Sequence, residues 1–361
     1  KHGIKLVLDY TVEGFKEKDD GVEVLLKDNP SLQADMVVLA IGVTPDTVLA
    51  KEASLELGIK GSIVVNDRME TSVPDIYAAG DAVQVKHYVT GNDALISLAG
   101  PANKQGRIIA DNICGGDSRY LGSQGSSVIK VFDMTAATTG INETNAKKSG
   151  LEVDTVILSP MSHAGYYPGG KVMTMKVVFE KETYRLLGAQ IIGYEGVDKR
   201  IDVLATAIHA GLKATQLKDL DLAYAPPYSS AKDPVNMAGF MIDNIAKGTL
   251  KQWHLEDMDK ISKDKSVVLL DVRTVGEFSR GHIDGFKNIP VDELRERISE
   301  IEKGKPVYLI CQSGLRSYIA SRILEGNGYE TYNFSGGFRF YDAVVNDRAL
   351  IEKAYACGMD Y

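Results

Sequence analysis

The feature that most constrains this chain is a six-residue loop that joins an apolar strand to a helix. A strand pattern covers residues 307–310, the loop is Cys311-Gln-Ser-Gly-Leu-Arg316, and a helical pattern follows over residues 317–325. Such a loop can turn its N–H groups toward the cysteine sulfur as an anion nest. Those donors, the helix dipole and Arg316 favour the thiolate over the thiol. The sequence therefore predicts Cys311 as a nucleophile and Arg316 as its cationic partner, in a cradle formed by Gln312, Ser313, Gly314 and Leu315.

Two other interpretations of Cys311 remain open at this point. A cysteine at the end of a buried strand is often only core filler, although this leaves the glycine and the arginine without a role. Cysteine phosphatases of the dual-specificity type use a similar loop with one more residue between Cys and Arg, which makes room for a phosphate. The shorter ring here fits a single sulfur atom better.

The region around this loop resembles the rhodanese family. The resemblance covers roughly residues 258–345, and its matching segments are Asp271-Val-Arg273, Glu277-Phe278, Gly281-His-Ile283, Asn288-Ile-Pro290, the Cys311 loop and Ser335-Gly-Gly337. It implies a small doubly wound domain that forms a persulfide at Cys311, with Arg316 and the loop N–H groups binding the sulfur donor. The residues expected to hold the fold together rather than react are Asp271, Arg273, Glu277 and His282.

Two earlier segments resemble the late FAD-domain motifs of pyridine nucleotide–disulfide oxidoreductases. They are Ala40-Ile-Gly-Val-Thr-Pro45 and Thr71-Ser-Val-Pro-Asp-Ile-Tyr-Ala-Ala-Gly-Asp81. A strand that ends in Gly-Asp lets the backbone approach a ligand closely, and a carboxylate accepts hydrogen bonds from sugar-like hydroxyls. Alone, the second segment would equally fit a capped strand-to-helix turn. The resemblance implies that Asp81, beside Gly80, binds the ribityl chain of FAD, and that a helix containing Ala99 and Ala102 points at the flavin ring.

Two tyrosine-bearing segments narrow the family. Residues 162–168 and residues 222–236 resemble the dimerisation domain of coenzyme A–disulfide reductases and related NADH-dependent persulfide reductases. The resemblance implies a homodimer in which Tyr166 and Tyr224 reach the partner subunit's active site. There, a phenol can hydrogen-bond a departing thiolate or give it a proton. Proline-flanked aromatic packing at an interface would also explain both tyrosines, and Tyr167 competes with Tyr166 for the first position.

The order of these patterns divides the chain into domains. We expect the C-terminal part of an α/β FAD/NAD(P)-binding region at residues 1–120, an α+β dimerisation domain at 121–250, a linker at 251–257 and the rhodanese domain at 258–361, a multidomain α/β and α+β fold. The apolar run at 36–43 is expected to be a buried parallel strand. No glycine fingerprint for FAD or NADH is present, and no cysteine precedes Cys114, so we expect the chain to be a truncated reductase.

Charge and cysteine usage exclude several classes of function. The formal charge of −8 over 361 residues disfavours nucleic acid or an anionic membrane as a partner. The apolar runs are too short for a membrane span. Three cysteines cannot form a disulfide framework and suit a reducing cytosol, with Cys114 and Cys357 read as structural. No metal site is expected, because the histidines lack ligand spacing (His163, His209 and His254 among them).

The combined prediction is a cytoplasmic, homodimeric reductase of coenzyme A disulfide, coenzyme A persulfide or polysulfide that uses FAD and NADH or NADPH. Its C-terminal domain would form a persulfide at Cys311 and pass the sulfur toward a flavin-side cysteine. Tethering two sites raises their effective concentration to the millimolar order. Two alternatives lack reductase activity: a sulfurtransferase on a dimerising scaffold, and a sulfur carrier that holds a persulfide without turnover.

Overall fold

A computed structural model describes residues 3–356, and the side chains of residues 3–346. The chain forms two compact units, of which one contains Lys1–Asp46 and Asp347–Tyr361 and the other Thr47–Asn346. Within the described residues, no helix is both long enough and apolar enough to cross a membrane.

The first unit contains a three-stranded antiparallel meander of β1 (Val12–Lys18), β2 (Gly21–Leu26) and β3 (Asn29–Ala34). The buried strand expected at residues 36–43 is wrong: this segment is irregular, and Met36 and Ile41 are 76% and 92% exposed. A strand exists only where a neighbour pairs its N–H and C=O groups. In the part of the chain that the structure describes, no strand pairs with this run.

The second unit carries the remaining regular elements. Its strands are β4 Ile63–Val64, β5 Val83–Lys86, β6 Asp93–Ala94, β7 Ser127–Val131, β8 Met134–Gly140, β9 Val153–Leu158, β10 Thr174–Glu180, β11 Leu186–Gly193, β12 Gln252–Trp253, β13 Val268–Asp271, β14 Lys287–Asn288, β15 Val307–Ile310 and β16 Thr331–Phe334. Its helices are α1 Val48–Glu52, α2 Ala99–Ile113, α3 Glu143–Lys148, α4 Val197–His209, α5 Pro234–Ala246, α6 Met258–Ile261, α7 Val275–Ser279 and α8 Leu315–Glu325, and α9 Gly337–Ala356 crosses into the other unit.

The middle of the chain forms a five-stranded antiparallel sheet in the order β7-β8-β11-β10-β9. Helices α4 and α5 pack against this sheet and bury its largest hydrophobic cluster, which includes Val177, Leu204 and Ile242. The start of α5 is as the sequence predicts: Asp233 is the N-cap, its side chain accepts a hydrogen bond from the Val235 N–H, and Pro234 stands in the first turn. The sheet and the two helices together form an α+β domain, and their shared apolar core holds the loops at the edge of the sheet in place.

The C-terminal sheet is parallel throughout, in the order β12-β16-β15-β13-β14. Strand β15 lies at its centre, so the residue that follows it, Cys311, emerges at the carboxyl edge where loops of parallel sheets bind ligands. Asp271 ends β13 and forms an ion pair with Arg273 at 2.7 Å, both side chains being 1% exposed. The Arg273 guanidinium also lies 3.8 Å from the ring centroid of Phe338.

The two sheets meet through polar contacts near β9. The Ile157 N–H donates to Ser335 Oγ at 3.1 Å, and His254 Nε2 lies 3.0 Å from Asp154 Oδ1. Burial lowers the pKa of His254, but the hydrogen bond and the charge of Asp154 outweigh burial, so this pKa is raised. The segment expected as a linker contributes β12 to the sheet and buries Trp253. The C-terminal domain is therefore anchored to the preceding sheet.

Candidate active site

Cys311 lies at the bottom of the loop between β15 and α8. Its side chain is 1% exposed, and its sulfur accepts hydrogen bonds from the Gly314 N–H at 3.1 Å and from Ser317 Oγ at 3.2 Å. Donors of this kind stabilise negative charge on sulfur. Ser317 was not predicted from the sequence. Its position two residues into a helix that follows the loop is the only signal that could have suggested it.

Glycines give the loop its shape. Gly314 has a φ of +98°, a conformation that L side chains rarely adopt, and it aims the backbone N–H at the sulfur. Gly337 packs against the loop so closely that a Cβ there would lie 2.7 Å from the Ser313 nitrogen. The next N–H, of Phe338, donates to the Cys311 carbonyl at 2.8 Å. The Ser335-Gly-Gly337 segment therefore supports the loop by close backbone approach.

Arg316 is held at the mouth of the loop by Glu277. Its two terminal nitrogens each donate to one carboxylate oxygen of Glu277 at 2.7 Å. The hydrogen bond from Arg316 lowers the pKa of Glu277 to about 2, and the same contact raises the pKa of Arg316. The sequence assigned Glu277 to the fold alone. In the structure it caps α7 with Thr274, as the spacing of these two residues predicts, and it also binds Arg316, so one carboxylate joins the helix start to the site.

Replacing Glu277 with glutamine is expected to lower the free energy of unfolding by about 1 kcal/mol at neutral pH. Because the folded-state pKa is depressed, this stabilisation is present above the ordinary value of 4.5 and is lost as the pH falls through about 2. Urea unfolding of both chains at pH 7 and pH 3 measures the difference, which should shrink at the lower pH. A difference independent of pH would contradict the ion pair as its source.

Tyr166 and Tyr224 meet outside the antiparallel sheet. Their hydroxyl oxygens lie 2.6 Å apart, and the side chains are 76% and 45% exposed. The hydrogen bond with Tyr166 raises the pKa of Tyr224, so this phenol keeps its proton at neutral pH. The competing Tyr167 instead packs edge-on against His163, with 5.6 Å between ring centroids. The pair therefore consists of the two tyrosines that the sequence singled out.

A buried ion pair fixes the two segments that carry these tyrosines. Arg200 Nη2 lies 3.0 Å from Asp233 Oδ2, and the side chains are 1% and 3% exposed. The same nitrogen donates to the Ser162 carbonyl at 2.9 Å, while Ser229 Oγ donates to Asp233 at 2.6 Å. An open cleft of about 600 Å³ beside this network is lined by both charged and aromatic residues, Lys199, Tyr224 and Tyr228 among them.

The Gly80-Asp81 turn lies against α2. The Gly80 N–H donates to Gln105 Oε1 at 2.7 Å, and Asp81 is exposed. Helix α2 begins at Ala99 without a side-chain cap, whereas the Ala102 N–H already donates to the Leu98 carbonyl at 3.2 Å. The site thus offers an exposed carboxylate, which can accept hydrogen bonds from the hydroxyls of a flavin, and an uncapped helix N-terminus, whose N–H groups can donate to its ring oxygens.

The other cysteines and histidines considered in the sequence analysis do not belong to these sites. Cys114 is exposed, and Cys357 lies beyond the described residues. His209 stacks on Tyr88 with 5.1 Å between ring centroids. Within residues 3–356, no group of three or more His, Cys, Asp or Glu side chains is placed to hold a metal ion.

Comparison with known families assigns three segments. Residues 1–106 match the pyridine nucleotide-disulphide oxidoreductase family, residues 126–234 match the dimerisation domain of that family, and residues 254–343 match the rhodanese-like domain. An NAD(P)H sulfur oxidoreductase (CoA-dependent) of Pyrococcus abyssi is 38% identical over 219 residues, which are 61% of this chain and 49% of the relative. A coenzyme A disulfide reductase of Staphylococcus aureus is 35% identical over 222 residues, 61% of this chain and 50% of the relative.

Solved structures extend the similarity to nearly the whole chain. Reduced CoADR-RHD of Bacillus anthracis superposes with a TM-score of 0.90 at 46% identity, covering 94% of this chain and 60% of its own. An NAD-dependent persulfide reductase of A. fulgidus gives 0.83 at 40% identity, covering 92% and 61%. The chain spans about half the length of the curated relatives it matches. The chain therefore belongs to the pyridine nucleotide-disulphide oxidoreductase family and carries a rhodanese-like domain at its C-terminal end.

Proposed function

We propose that this chain is part of an FAD- and NAD(P)H-dependent reductase of coenzyme A disulfide, coenzyme A persulfide or polysulfide, with a sulfur-handling domain at its C-terminal end. The observation that carries the proposal is the buried Cys311 sulfur, which accepts hydrogen bonds from Gly314 and Ser317 in a loop held by Arg316 and Glu277. A persulfide formed there keeps the same donors. The free thiol suits a reducing compartment, so we place the protein in the cytosol.

The residues that would hold FAD are Asp81, beside Gly80, and the first turn of α2 at Ala99. FAD would accept electrons from the nicotinamide cofactor and deliver them to a disulfide. Asp81 would accept hydrogen bonds from the ribityl hydroxyls, and the N-terminus of α2 would stabilise charge on the ring. We propose the same domain boundaries as the sequence predicts: a FAD/NAD(P)-binding region to residue 120, a dimerisation domain at 121–250, a connecting segment at 251–257 and the rhodanese domain from residue 258.

The tyrosine pair supports a homodimer with shared sites. Tyr166 and Tyr224 lie on the dimerisation segment, are exposed, and form a hydrogen bond with each other. A two-fold interface would place each pair in the opposite subunit's reductase site. There Tyr224, protonated at neutral pH and backed by the Tyr166 hydroxyl, would give its proton to a departing thiolate.

Changing Tyr224 to phenylalanine is expected to slow reduction of coenzyme A disulfide at least about tenfold in the full-length reductase, because a general acid is lost. NADH oxidation in the presence of the disulfide measures the rate. Tyr167→Phe is the matched control and should be close to wild type. If both variants reduced the disulfide at the same lowered rate, these tyrosines would have only a packing role.

Two assays test the function as a whole. Flavin absorbance in the purified full-length protein distinguishes a reductase from a scaffold. Thiosulfate:cyanide sulfurtransferase turnover distinguishes a catalytic Cys311 from a passive sulfur carrier. Absence of both would overturn the proposal.

A further inference from the structure

A histidine–carboxylate pair lies where the antiparallel sheet meets the C-terminal sheet. His254 Nε2 is 3.0 Å from Asp154 Oδ1 on β9, and the two side chains are only 20% and 23% exposed. The other Asp154 oxygen accepts a hydrogen bond from Gln252 Nε2 at 3.1 Å, and the same nitrogen donates to the Thr155 carbonyl at 2.8 Å. Residues 252–254 therefore bind β9 through their side chains, and these contacts form the joint between the two sheets.

The joint also includes the segment that supports the Cys311 loop. Ser335 Oγ accepts a hydrogen bond from the Ile157 N–H at 3.1 Å. A Cβ at Gly336 would lie 3.0 Å from Ile157 Cγ2, so the backbone of this segment packs directly on β9. The next residue, Gly337, contacts the Cys311 loop. A shift at the joint would therefore reach the loop through one short segment.

The charged groups that face His254 are mostly acidic. Asp154 lies opposite on β9, and Glu256 and Asp257 follow in the 3-10 segment that comes directly after the histidine. Asp257 Oδ2 accepts a hydrogen bond from the His254 backbone N–H at 3.0 Å. On α3, the Lys147 ammonium lies close enough to interact with the charges of Asp154 and Glu256. Three carboxylates thus face one ammonium group, and this balance favours a proton on the imidazole.

The two pKa values shift in the directions that favour a charged pair. Burial lowers the pKa of His254 and raises the pKa of Asp154, but in each case the hydrogen bond and the charge of the partner outweigh burial. The pKa of His254 is therefore raised above its ordinary value of 6.5. Because the folded-state value is the higher one, the stabilisation is complete below about pH 6.5 and is lost as the pH rises through the folded-state pKa. The joint is strongest in mildly acidic solution.

We propose that His254 and Asp154 form a pH-sensitive latch, which holds the C-terminal sheet on β9 and loosens when the imidazole loses its proton. Neutral His254 can still hydrogen-bond Asp154 through one ring nitrogen, but the attraction between opposite charges is gone. The half-buried Asp154 then lies beside two further carboxylates with only Lys147 to offset them. The latch works independently of which sulfur compound the C-terminal domain handles.

Trp253 is a built-in reporter, because it is the only tryptophan in the sequence, precedes His254 and is 2% exposed. Its fluorescence is expected to change between pH 6 and pH 9 with a midpoint above 6.5. Amide hydrogen exchange in residues 153–157 and 252–257, corrected for the intrinsic effect of pH, should become at least about threefold faster over the same range. A fluorescence titration without any change in exchange would show that the pair does not control the joint, and would contradict the proposal.

His254→Gln keeps a hydrogen-bond donor near Asp154 but cannot take up a proton. In this variant the fluorescence should no longer titrate, and the corrected exchange rates at pH 6 and pH 9 should be equal. His282→Gln is the matched control, because His282 is an exposed histidine of the same domain that stacks on Phe278. It should retain the midpoint of the unmodified chain. A midpoint at or below pH 6.5 in the unmodified chain, or an unchanged titration in His254→Gln, would overturn the latch.

Asp154→Asn keeps the test decisive if His254→Gln fails to fold. The midpoint should move down to pH 6.5 or lower, because burial of His254 remains and the carboxylate that holds its proton is gone. Glu256→Gln removes a carboxylate that acts on His254 only through its charge, and should move the midpoint less. Equal shifts in the two variants would assign the titration to the general acidity of this region and rule out a specific latch.

Discussion

Serine in place of Cys311 is expected to reduce sulfur transfer from thiosulfate to cyanide by at least about a thousand-fold. The reaction needs a nucleophile that can hold a sulfur atom in a covalent bond and release it again. A serine hydroxyl is ionised to a negligible extent at neutral pH and forms no persulfide. The Gly314 N–H and the Ser317 hydroxyl, which now point at the sulfur, would have no reactive atom to stabilise.

The fold should survive this change. Cys311 is buried in a cluster with Leu309 and Ala320, and serine is slightly smaller, so the substitution leaves no cavity large enough to collapse the sheet. The new hydroxyl can use the same two hydrogen-bonding groups that contact the sulfur. We expect the far-ultraviolet circular dichroism spectrum to be retained and the thermal transition to move by only a few degrees.

Two measurements and one control define the outcome. Thiocyanate formation gives the rate, and intact mass after exposure to thiosulfate shows whether one sulfur atom has been added to the chain. Cys114→Ser removes the exposed thiol and should behave like the unmodified protein in both assays. Thiocyanate production near the unmodified rate by the Cys311→Ser chain would rule out Cys311 as the nucleophile.

The sequence predicted the helix caps and the Cys311 loop correctly, because each is formed by residues that are close together along the chain. The spacing of Thr274 and Glu277 predicts a capping box, and the structure forms it at the start of α7; likewise Asp233, before Pro234, predicts the N-cap that begins α5. The Cys311 loop is equally local, because the four residues between β15 and α8, Cys311 to Gly314, set its curvature, and the helix begins two residues earlier than the sequence pattern predicts. In these cases the side chain and its backbone partner are a few residues apart, so the sequence contains the whole interaction.

Apolar spacing predicted the wrong secondary structure where contacts with distant parts of the chain determine the backbone conformation. The apolar spacing of residues 291–302 predicts a helix, but the structure has turns and a short 3-10 segment, Ile298–Glu300. Leu294 and Ile301 are buried as the pattern requires, so the apolar spacing is satisfied without a helix. The Tyr329 hydroxyl lies 3.3 Å and 3.1 Å from the Ile298 and Ile301 carbonyls, and it binds groups that a longer helix would use internally.

Contacts between distant segments also explain what the sequence missed at the candidate sites. Glu277 and Arg316 are 39 residues apart, and their pairing depends on how α7 and α8 meet at the sheet edge. The joint between the two sheets pairs His254 with Asp154, which are 100 residues apart in the sequence. Neither residue type nor spacing reveals this pair, because only the packed sheets bring the two side chains together.

Replacing Arg200 with methionine is expected to lower the free energy of unfolding by about 3–5 kcal/mol, because Asp233 would lose its buried partner and keep only the half-exposed Lys199 ammonium nearby. The same change should also loosen the loops that position the Tyr166–Tyr224 pair. Arg200 contacts the Ser162 carbonyl and Asp233 holds Ser229, so the two loops that carry Tyr166 and Tyr224 share this anchor. We expect amide hydrogen exchange in residues 162–168 and 222–229 to become faster, because these two loops would open more often without their anchor.

Lys199→Met is the matched control for this change. Its ammonium lies 3.9 Å from the same Asp233 oxygen, but the side chain is 37% exposed, so the expected cost is below about 1 kcal/mol. Urea unfolding followed by circular dichroism compares the two variants. The Arg200→Met/Asp233→Leu double variant should recover part of the stability, because no unpaired charge remains buried. If Arg200→Met were no less stable than Lys199→Met, the buried pair could not be what orders the tyrosine loops.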